Sequence, residues 1–542
     1  MNADYRYTAG YSWTAGALVE PDPENELDLY FGHVIQNNRT QNISGKFDFV
    51  KLYNKSKVLK EVNSPPRRST SKRNKADTTK TLADIPAARG ILRFLMMVRS
   101  VNVTYNQTEG TMLPGFDKGH FLFGMDSSFM SPGWDFVLGG QNPEIRNRAA
   151  DNGWLIDNEL LTTPFSQSRA IDLNIKANIE PAKDLKVQLD ATKRKSAMYQ
   201  EYFRYDTITL QHISQTPNTT GSYSISFFTL NTAFEKEGSN NTSAAFQDFE
   251  KNRLIMLDRM RQYNSEYDTN SQDVLIPAFI AAYTGKDAKS SKVNPFPNIP
   301  LPNWRLDYSG LSKIEALKKV FSSVSLTHGY KSTYSVNGFT SSADYKDPSR
   351  IDLSNNVEDY GETRFANRTR DNGSVIPIYI ISQVIISEQF SPLIGVNIRT
   401  NKRATIRAEY KRQRDLALNL SNNQVTAQKA GDVTFEYGFT KTDLKLPFKS
   451  RGRPVVLKND LQFRLSFSIK DTKTVQRKIE EENITTNGQL TYRLRPSVNY
   501  ALNKKLNIEI YYERNSNDPK ISTQYKRNTT QIGFKLRFSL AQ

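Results

Sequence analysis

The feature that most constrains this chain is a strict two-residue alternation, and NDLQFRLSFSIK, residues Asn459 to Lys470, shows it plainly. Successive side chains of an extended strand point to opposite faces. Leu461, Phe463, Leu465, Phe467 and Ile469 therefore share one face, and Gln462, Arg464, Ser466, Ser468 and Lys470 share the other. Such a strand separates two solvents. Either the apolar face covers a protein core, as in a soluble sandwich, or it meets lipid while the polar face lines water.

The pattern recurs along the chain. Ala404, Ile406, Ala408 and Tyr410 alternate with Thr405, Arg407, Glu409 and Lys411, and the same parity runs on to Leu416, Leu418 and Leu420. Val433, Phe435, Tyr437 and Phe439 follow, then Leu490, Tyr492, Leu494, Val498 and Tyr500, then Leu506, Ile508, Ile510 and Tyr512. Near the end, Ile532, Phe534, Leu536, Phe538 and Leu540 enclose Lys535 and Arg537. Upstream, Ile171, Leu173, Ile175 and Ile179 run to a PAKD turn, and Leu185, Val187 and Leu189 run back as a hairpin. The count comes to roughly 14 to 16 strands, many of about nine residues or more, enough to cross a bilayer at barrel tilt. Soluble strands are usually shorter, about 5 to 6 residues. The polar stretches NLSNNQVTAQKAGD, before Val433, and KDTKTVQRKIEEENITTNG, before Leu490, read as long loops that contrast with short turns such as PAKD and LNKKLN. Outer-membrane barrels have that asymmetry between their two rims.

Composition closes several alternatives. In 542 residues with a mean hydropathy of -0.61 there is no apolar run of about 18 residues, so no helical span is expected, whereas barrel strands average out as polar. Without cysteine there are no disulfides and no thiolate metal sites. The first residues, MNADYRYTAGYSWTAG, lack a basic and an apolar region and instead place Tyr5, Tyr7, Tyr11 and Trp13 on one side of a strand. They are not a signal peptide, so an exported chain of this sequence is expected to be a mature product or the latter part of something longer. The net charge of +18 admits nucleic acid, anionic lipid or an acidic partner. Its densest cluster, Ser64 to Lys80, is rich in Ser, Thr and Pro and has no aromatic platform, so it reads as a solvated loop.

The middle of the chain abandons the alternation. Phe246, Phe249, Leu254, Leu257 and Met260 fall on one helical face with Ser243 as N-cap, DVLIPAFIAAYTG offers a second helix, and VNPFPNIPLPNW is too proline-rich for a central strand. The division expected is barrel strands with long loops over 1–231, a helical and Pro-rich cap or rim insertion over 232–315, and barrel strands over 316–542.

Catalytic signatures are sparse. His33, His120, His212 and His328 lie far apart, and no metal-ligand pair, nucleophile elbow or phosphate loop occurs. The chance match STSK, Ser69 to Lys72, has no KTG after it. Asp117 to Arg146 gathers His120, Asp126, Asp135 and several glycines, yet the glycines and prolines there read as backbone bends and the aromatics as packing. No enzyme, cofactor or metal is expected.

That same stretch carries a family resemblance. TMLPGFDKGHFLFG and SPGWDFVLGGQ, with GHVIQNNRTQNISGKFDFVKLYNK upstream and LTTPFSQSRAIDLNIKANIEPAKDLKVQLDATK downstream, resemble the C-terminal region of the Sov/SprA proteins, the outer-membrane translocons of type IX secretion that also support gliding motility. The motif positions are Pro114, Gly115, Phe116, Pro132, Gly133, Trp134, Phe136 and Gly139. The resemblance is specific between about Phe31 and Asp206. It implies an all-β chain forming part of a very large antiparallel transmembrane barrel in the bacterial outer membrane, with a water-filled path for folded cargo proteins. The partners it implies are the remaining N-terminal portion of the translocon, a smaller shuttle barrel at a lateral opening, a periplasmic plug, a peptidyl-prolyl isomerase, secreted cargo and outer-membrane lipid, with no nucleic acid.

On this reading Arg407, Glu409, Lys411, Gln462, Arg464, Lys470, Lys535 and Arg537 line the pore. Ile406, Tyr410, Leu461, Phe463, Leu465, Phe467, Ile469, Phe534 and Phe538 face lipid. The rivals are a stand-alone porin or receptor barrel, a secreted β-sandwich that binds a polyanion, and an envelope enzyme using Asp126 and Asp135.

Overall fold

The computed structural model describes residues 2–16, 30–63, 86–344, 369, 373–450, 453–457, 459–502 and 506–538. The basic stretch Ser64 to Lys80 lies outside them. In chain order the strands are β1 (Asn2–Thr14), β2 (His33–Asp48), β3 (Val98–Phe116), β4 (Phe165–Ala182), β5 (Leu185–Asp206) and β6 (Gln211–Ser226). Then come β7 (Asn303–Tyr308), β8 (Phe321–Ser341), β9 (Tyr379–Ile381), β10 (Gln383–Thr400), β11 (Ala404–Asn419) and β12 (Gln424–Lys441). The last are β13 (Leu444–Ser450), β14 (Arg453–Leu457), β15 (Leu461–Lys478), β16 (Ile484–Ala501), β17 (Leu506–Pro519) and β18 (Arg527–Phe538).

Sixteen strands form one sheet in the order β1-β2-β3-β4-β5-β6-β8-β10-β11-β12-β15-β16-β17-β18, with β7 and β9 beside that path and β13-β14 a separate hairpin. The expected class, an all-β antiparallel fold interrupted by helices in its middle, is the one found. Among the described residues β1 and β18 end the sheet, each paired on one side only.

Two expectations from the sequence need correction. The stretches read as long loops before Val433 and Leu490 are mostly strand, because β12 begins at Gln424, β15 runs to Lys478 and β16 begins at Ile484. Alternation is lost there for a physical reason: the face that is apolar lower down carries Lys429, Lys473 and Arg477 higher up, where protein covers it. Leu254 is the second. It is exposed, while Arg253 and Met256 are buried with Phe246, Phe249, Leu257 and Met260, so the inward stripe of that helix runs through position 253 instead.

The helical segment is spliced into the sheet. β6 pairs with the far half of β5 and leaves the wall after Ser226, and the chain returns as β7, which pairs with the near half of β5 and with β8. β6 and β7 together thus fill one strand position. The join is tied by Leu301 N–H donating to Ser226 O at 3.0 Å. The return begins at Asn303, directly after the last proline of the Pro-rich stretch, since proline has no N–H for a ladder on both sides. Between the halves lie helices Ala244–Arg261 and Gln272–Thr284, the first capped by Ser243 Oγ accepting from Phe246 N–H. Phe249, Met256, Ile276 and Phe279 of this cap pack with Tyr334, Val336, Ile386, Leu416, Leu418 and Val425 of the wall. At about 1.5–3 kcal/mol for each fully buried large apolar side chain, this interface outweighs any single ion pair in it.

Candidate functional site

Register carries the parity of one strand across its neighbours. One row reads Ile398, Ile406, Tyr437, Leu465 and Pro496 over β10, β11, β12, β15 and β16, and the adjacent row on the opposite face reads Asn397, Arg407, Glu436, Ser466 and Arg495. Continuing through β17 and β18, Arg464, Ser497, Tyr511 and Gly533 share the second face, which puts Lys535 and Arg537 there as well. The eight residues read as pore-lining lie together on this face, which on that reading is the wet one, and the nine read as lipid-facing lie together on the other, the dry one on the same reading.

The wet face stays polar along the whole of β15, from Gln462 and Arg464 through Thr472, Thr474 and Gln476 to Lys478. Ion pairs run along it. Glu409 takes Arg407 at 2.6 Å and Lys411 at 3.3 Å, and Glu513 takes Arg493 at 3.0 Å while Arg495 reaches Glu509 at 3.5 Å. Bridges of this kind contribute about 0–1 kcal/mol each, so their consequence is a hydrated, charge-mixed surface rather than a stronger fold.

The dry face has two zones. Leu461 to Ile469 of β15, Phe439 to Val433 of β12 and Ile406 to Tyr410 of β11 form an apolar band. Beyond it, one row carries Glu388, Arg414, Lys429 and Lys473 across β10, β11, β12 and β15. Charges so placed in hydrocarbon would each cost about 2–4 kcal/mol. Here the cap supplies Glu237, whose carboxylate takes Arg477 at 2.7 Å, Lys473 at 2.9 Å and Lys429 at 3.0 Å. Sequence reasoning missed this clasp, because Lys473 and Arg477 break the apolar parity of β15 and read locally as loop.

Burial opposes ionisation of Glu237, but hydrogen bonds and charge from Lys473 and Lys429 win and hold its carboxyl at about 2, below its ordinary 4.5. A depressed folded pKa contributes stability above the unfolded value that is lost as pH falls through the folded one. The cap contact should therefore be constant above about pH 4.5 and loosen between there and about 2. Protease cleavage within 227–302 followed against pH measures this, and Glu237→Gln should loosen the cap already at pH 7 and flatten the acid step.

The motif stretch covers the same dry face at the other end of the sheet. Phe136 is buried and meets Tyr11 edge-on with centroids 6.1 Å apart, and Asn37 donates to the carbonyls of Phe136 and Gly140 at 2.8 and 2.7 Å. Gly139 has φ +86 and lies so close to the wall that a Cβ would meet that of Ala9 at 2.9 Å. Gly115 and Gly133 also have positive φ, Phe116 is buried beside Leu113 and Leu155, and Trp134 is half exposed. Against this cover the charged row recurs, with Glu109 between Arg39 at 2.6 Å and Arg169 at 3.4 Å, and the buried Arg146 pairs with Glu201 at 2.7 Å.

The acids of this stretch have structural partners. Asp126 accepts from Ser128 Oγ and from the N–H groups of Met130 and Ser131, closing a turn, and Asp135 pairs with Arg148 at 3.0 Å. His33, His212 and His328 bond to Gly16 N–H, Ile156 O and Leu393 O. Among the described residues no three His, Asp or Glu gather as a metal-binding group.

No family model matches the chain, and no curated protein does. Among solved structures it is similar to the FrpB iron transporter from Neisseria meningitidis, with 6% identity and a TM-score of 0.27 over 95% of this chain and 58% of that one. It is also similar to the RagAB peptide transporter, with 9% identity and a TM-score of 0.26 over 98% of this chain and 49% of that one. The chain thus spans about half the length of each protein it is compared with.

Proposed function

We propose that this chain is a C-terminal sector of the outer-membrane translocon of type IX secretion, walling a water-filled path for folded cargo and so supporting gliding motility. The observation that carries the membrane part is the pairing of a wet face, polar over full strand length, with a dry face whose apolar band ends where protein covers begin. A soluble sandwich would bury that band, yet Ile394, Val433, Ile510, Phe534 and Phe538 are exposed. The type IX assignment comes from the motif stretch alone.

Among the described residues β1 and β18 each pair on one side only, and this shapes the rest of the reading. Unpaired backbone groups are not viable in hydrocarbon, so either the chain closes on itself as a porin-sized barrel or the wall continues with other strands; on this reading it continues, with the N-terminal portion of the same translocon as the source. A smaller shuttle barrel at a lateral opening, a periplasmic plug and a peptidyl-prolyl isomerase complete the assembly, and secreted proteins are its cargo. The chain does no bond chemistry and needs no cofactor.

Extraction of the native envelope, followed by mass determination of the species holding this chain, tests the proposal. Release only by detergent, bound to a larger fragment and a smaller barrel, is the expected result. A lone detergent-soluble barrel of 61.8 kDa would favour the porin alternative, and a detergent-free monomer of that mass would end the membrane reading.

A further inference from the structure

The connection between β3 and β4 exposes an unusual run of large apolar side chains. Phe123 and Met130 are 71% and 70% exposed, and Phe121, Leu122, Trp134 and Leu138 are each about half exposed or more. They form one surface, since Phe121 lies 6.1 Å from Phe129 and Phe123 lies 6.2 Å from Trp134, centroid to centroid. Phe123 and Phe129 both sit at φ 57, a conformation that costs a bulky residue energy; Phe129 lies in the turn closed by Asp126, and Phe123 in the one closed by Met125 N–H donating to Leu122 O. A contiguous apolar patch held outward by a strained turn marks a contact surface.

Its height along the wall identifies the contact. Tyr7 OH donates to Leu138 O at 2.5 Å, Tyr11 packs against Phe136, and Trp13 Nε1 donates to Lys118 O at 3.2 Å. The ledge therefore begins beside Tyr7. Just below is the apolar row of Tyr5, Ile43, Tyr105 and Leu173, and just above is the charged row of Arg39, Glu109 and Arg169. From Tyr7 to Tyr11 is about 13 Å along a strand, or roughly 10 Å of height at barrel tilt. The headgroup layer on one side of a bilayer is about 5–8 Å deep. The ledge spans that layer, on the same face as the band and directly above the apolar row of Tyr5, Ile43, Tyr105 and Leu173.

We infer that residues 121–138 form a lipid-binding ledge, an aromatic and methionine surface that enters the headgroup and upper acyl region of the outer membrane beside β1. The inference rests on the membrane reading of the band. Aromatic side chains favour the membrane interface because their rings are apolar and polarisable, and a connection can bring them there where the strands below carry charge. The ledge thereby lets the wall hold its charged row just outside the hydrocarbon.

The chain contains no cysteine, so Phe123→Cys and Met130→Cys, each in the assembled translocon, accept a single nitroxide on this chain. Collision rates with oxygen, which partitions into lipid, and with a water-soluble nickel chelate then report the surroundings in phosphatidylglycerol/phosphatidylcholine vesicles. The expected result is an oxygen-to-nickel ratio at least several-fold above that of a nitroxide at Ser239, in the exposed turn of the cap. A ratio equal to the Ser239 value overturns the ledge in favour of solvent, and low collision rates with both reagents overturn it in favour of a protein partner. Phe467→Cys in the apolar band separates the two readings. If it reports lipid and the ledge positions do not, the ledge alone fails, and if it also reports water, the membrane reading has failed with it.

Discussion

Leu465→Arg is expected to abolish assembly of the wall, whereas Ser466→Arg one residue away should leave it intact. Leu465 lies between Tyr437 and Pro496 in the middle of the apolar band, flanked along its strand by Phe463 and Phe467. An arginine on the lipid face near mid-bilayer costs about 2–4 kcal/mol, a large part of the stability of a typical fold. Ser466 sits between Glu436 and Arg495 on the wet face, where an added guanidinium meets water and a carboxylate. Its substitution should stay within about 0.5 kcal/mol. Membrane-fraction yield and denaturant unfolding in detergent check the pair together. Equal tolerance, or equal loss, would remove the distinction between a dry and a wet face on which the membrane assignment stands.

The faces were legible because a sheet has a side-chain period of two and its register preserves parity from strand to strand. Register itself was not legible, but the pairing of Leu465 and Phe463 with Tyr437 and Phe439 joins two strands whose apolar parity is legible separately. The helices were legible for the same reason in another period, with Ser243 at the cap position and Phe246, Phe249 and Met260 inside.

What lies beyond the band was not legible, because parity reports solvent only while one solvent persists along a face. Position 473 has the parity of Leu465 but meets Glu237 instead of lipid, and a lysine there reads locally as loop. The same holds for Arg39 and Arg169, whose partner Glu109 is 70 and 60 residues away in sequence on a strand between them. Ion pairs across strands leave no local spacing to detect. The splice between β6 and β7 was hidden because six residues, Asn303 to Tyr308, are too few to register as a strand next to a run of prolines.

The second large effect is expected at Glu388, where the cap's first residues meet the wall. Its carboxylate takes Arg414 at 2.9 Å, Thr229 Oγ1 at 2.7 Å and Tyr330 OH at 3.2 Å. Arg414 in turn donates to Thr232 O at 2.7 Å and to Thr232 Oγ1 at 3.0 Å. Both side chains are almost fully buried on the outer face. Glu388→Ala leaves the guanidinium without a counter-charge in a site that water does not reach, at a cost of about 3–5 kcal/mol. Because Thr229 and Thr232 begin the insertion, the loss should appear first as release of the cap, read by proteolysis within 227–302 before the strands themselves unfold. The double variant Glu388→Leu with Arg414→Met removes both charges and fills their volume, and replacements of that kind range from neutral to stabilising by about 1–4 kcal/mol. It should recover most of the loss, short of the two bonds from Arg414 to Thr232 and the two that Glu388 accepts from Thr229 and Tyr330. If the single variant proved as stable as the double, the buried pair would not be what fastens the cap, and its attachment would fall to the Glu237 clasp and the apolar contacts around Phe249 and Phe279.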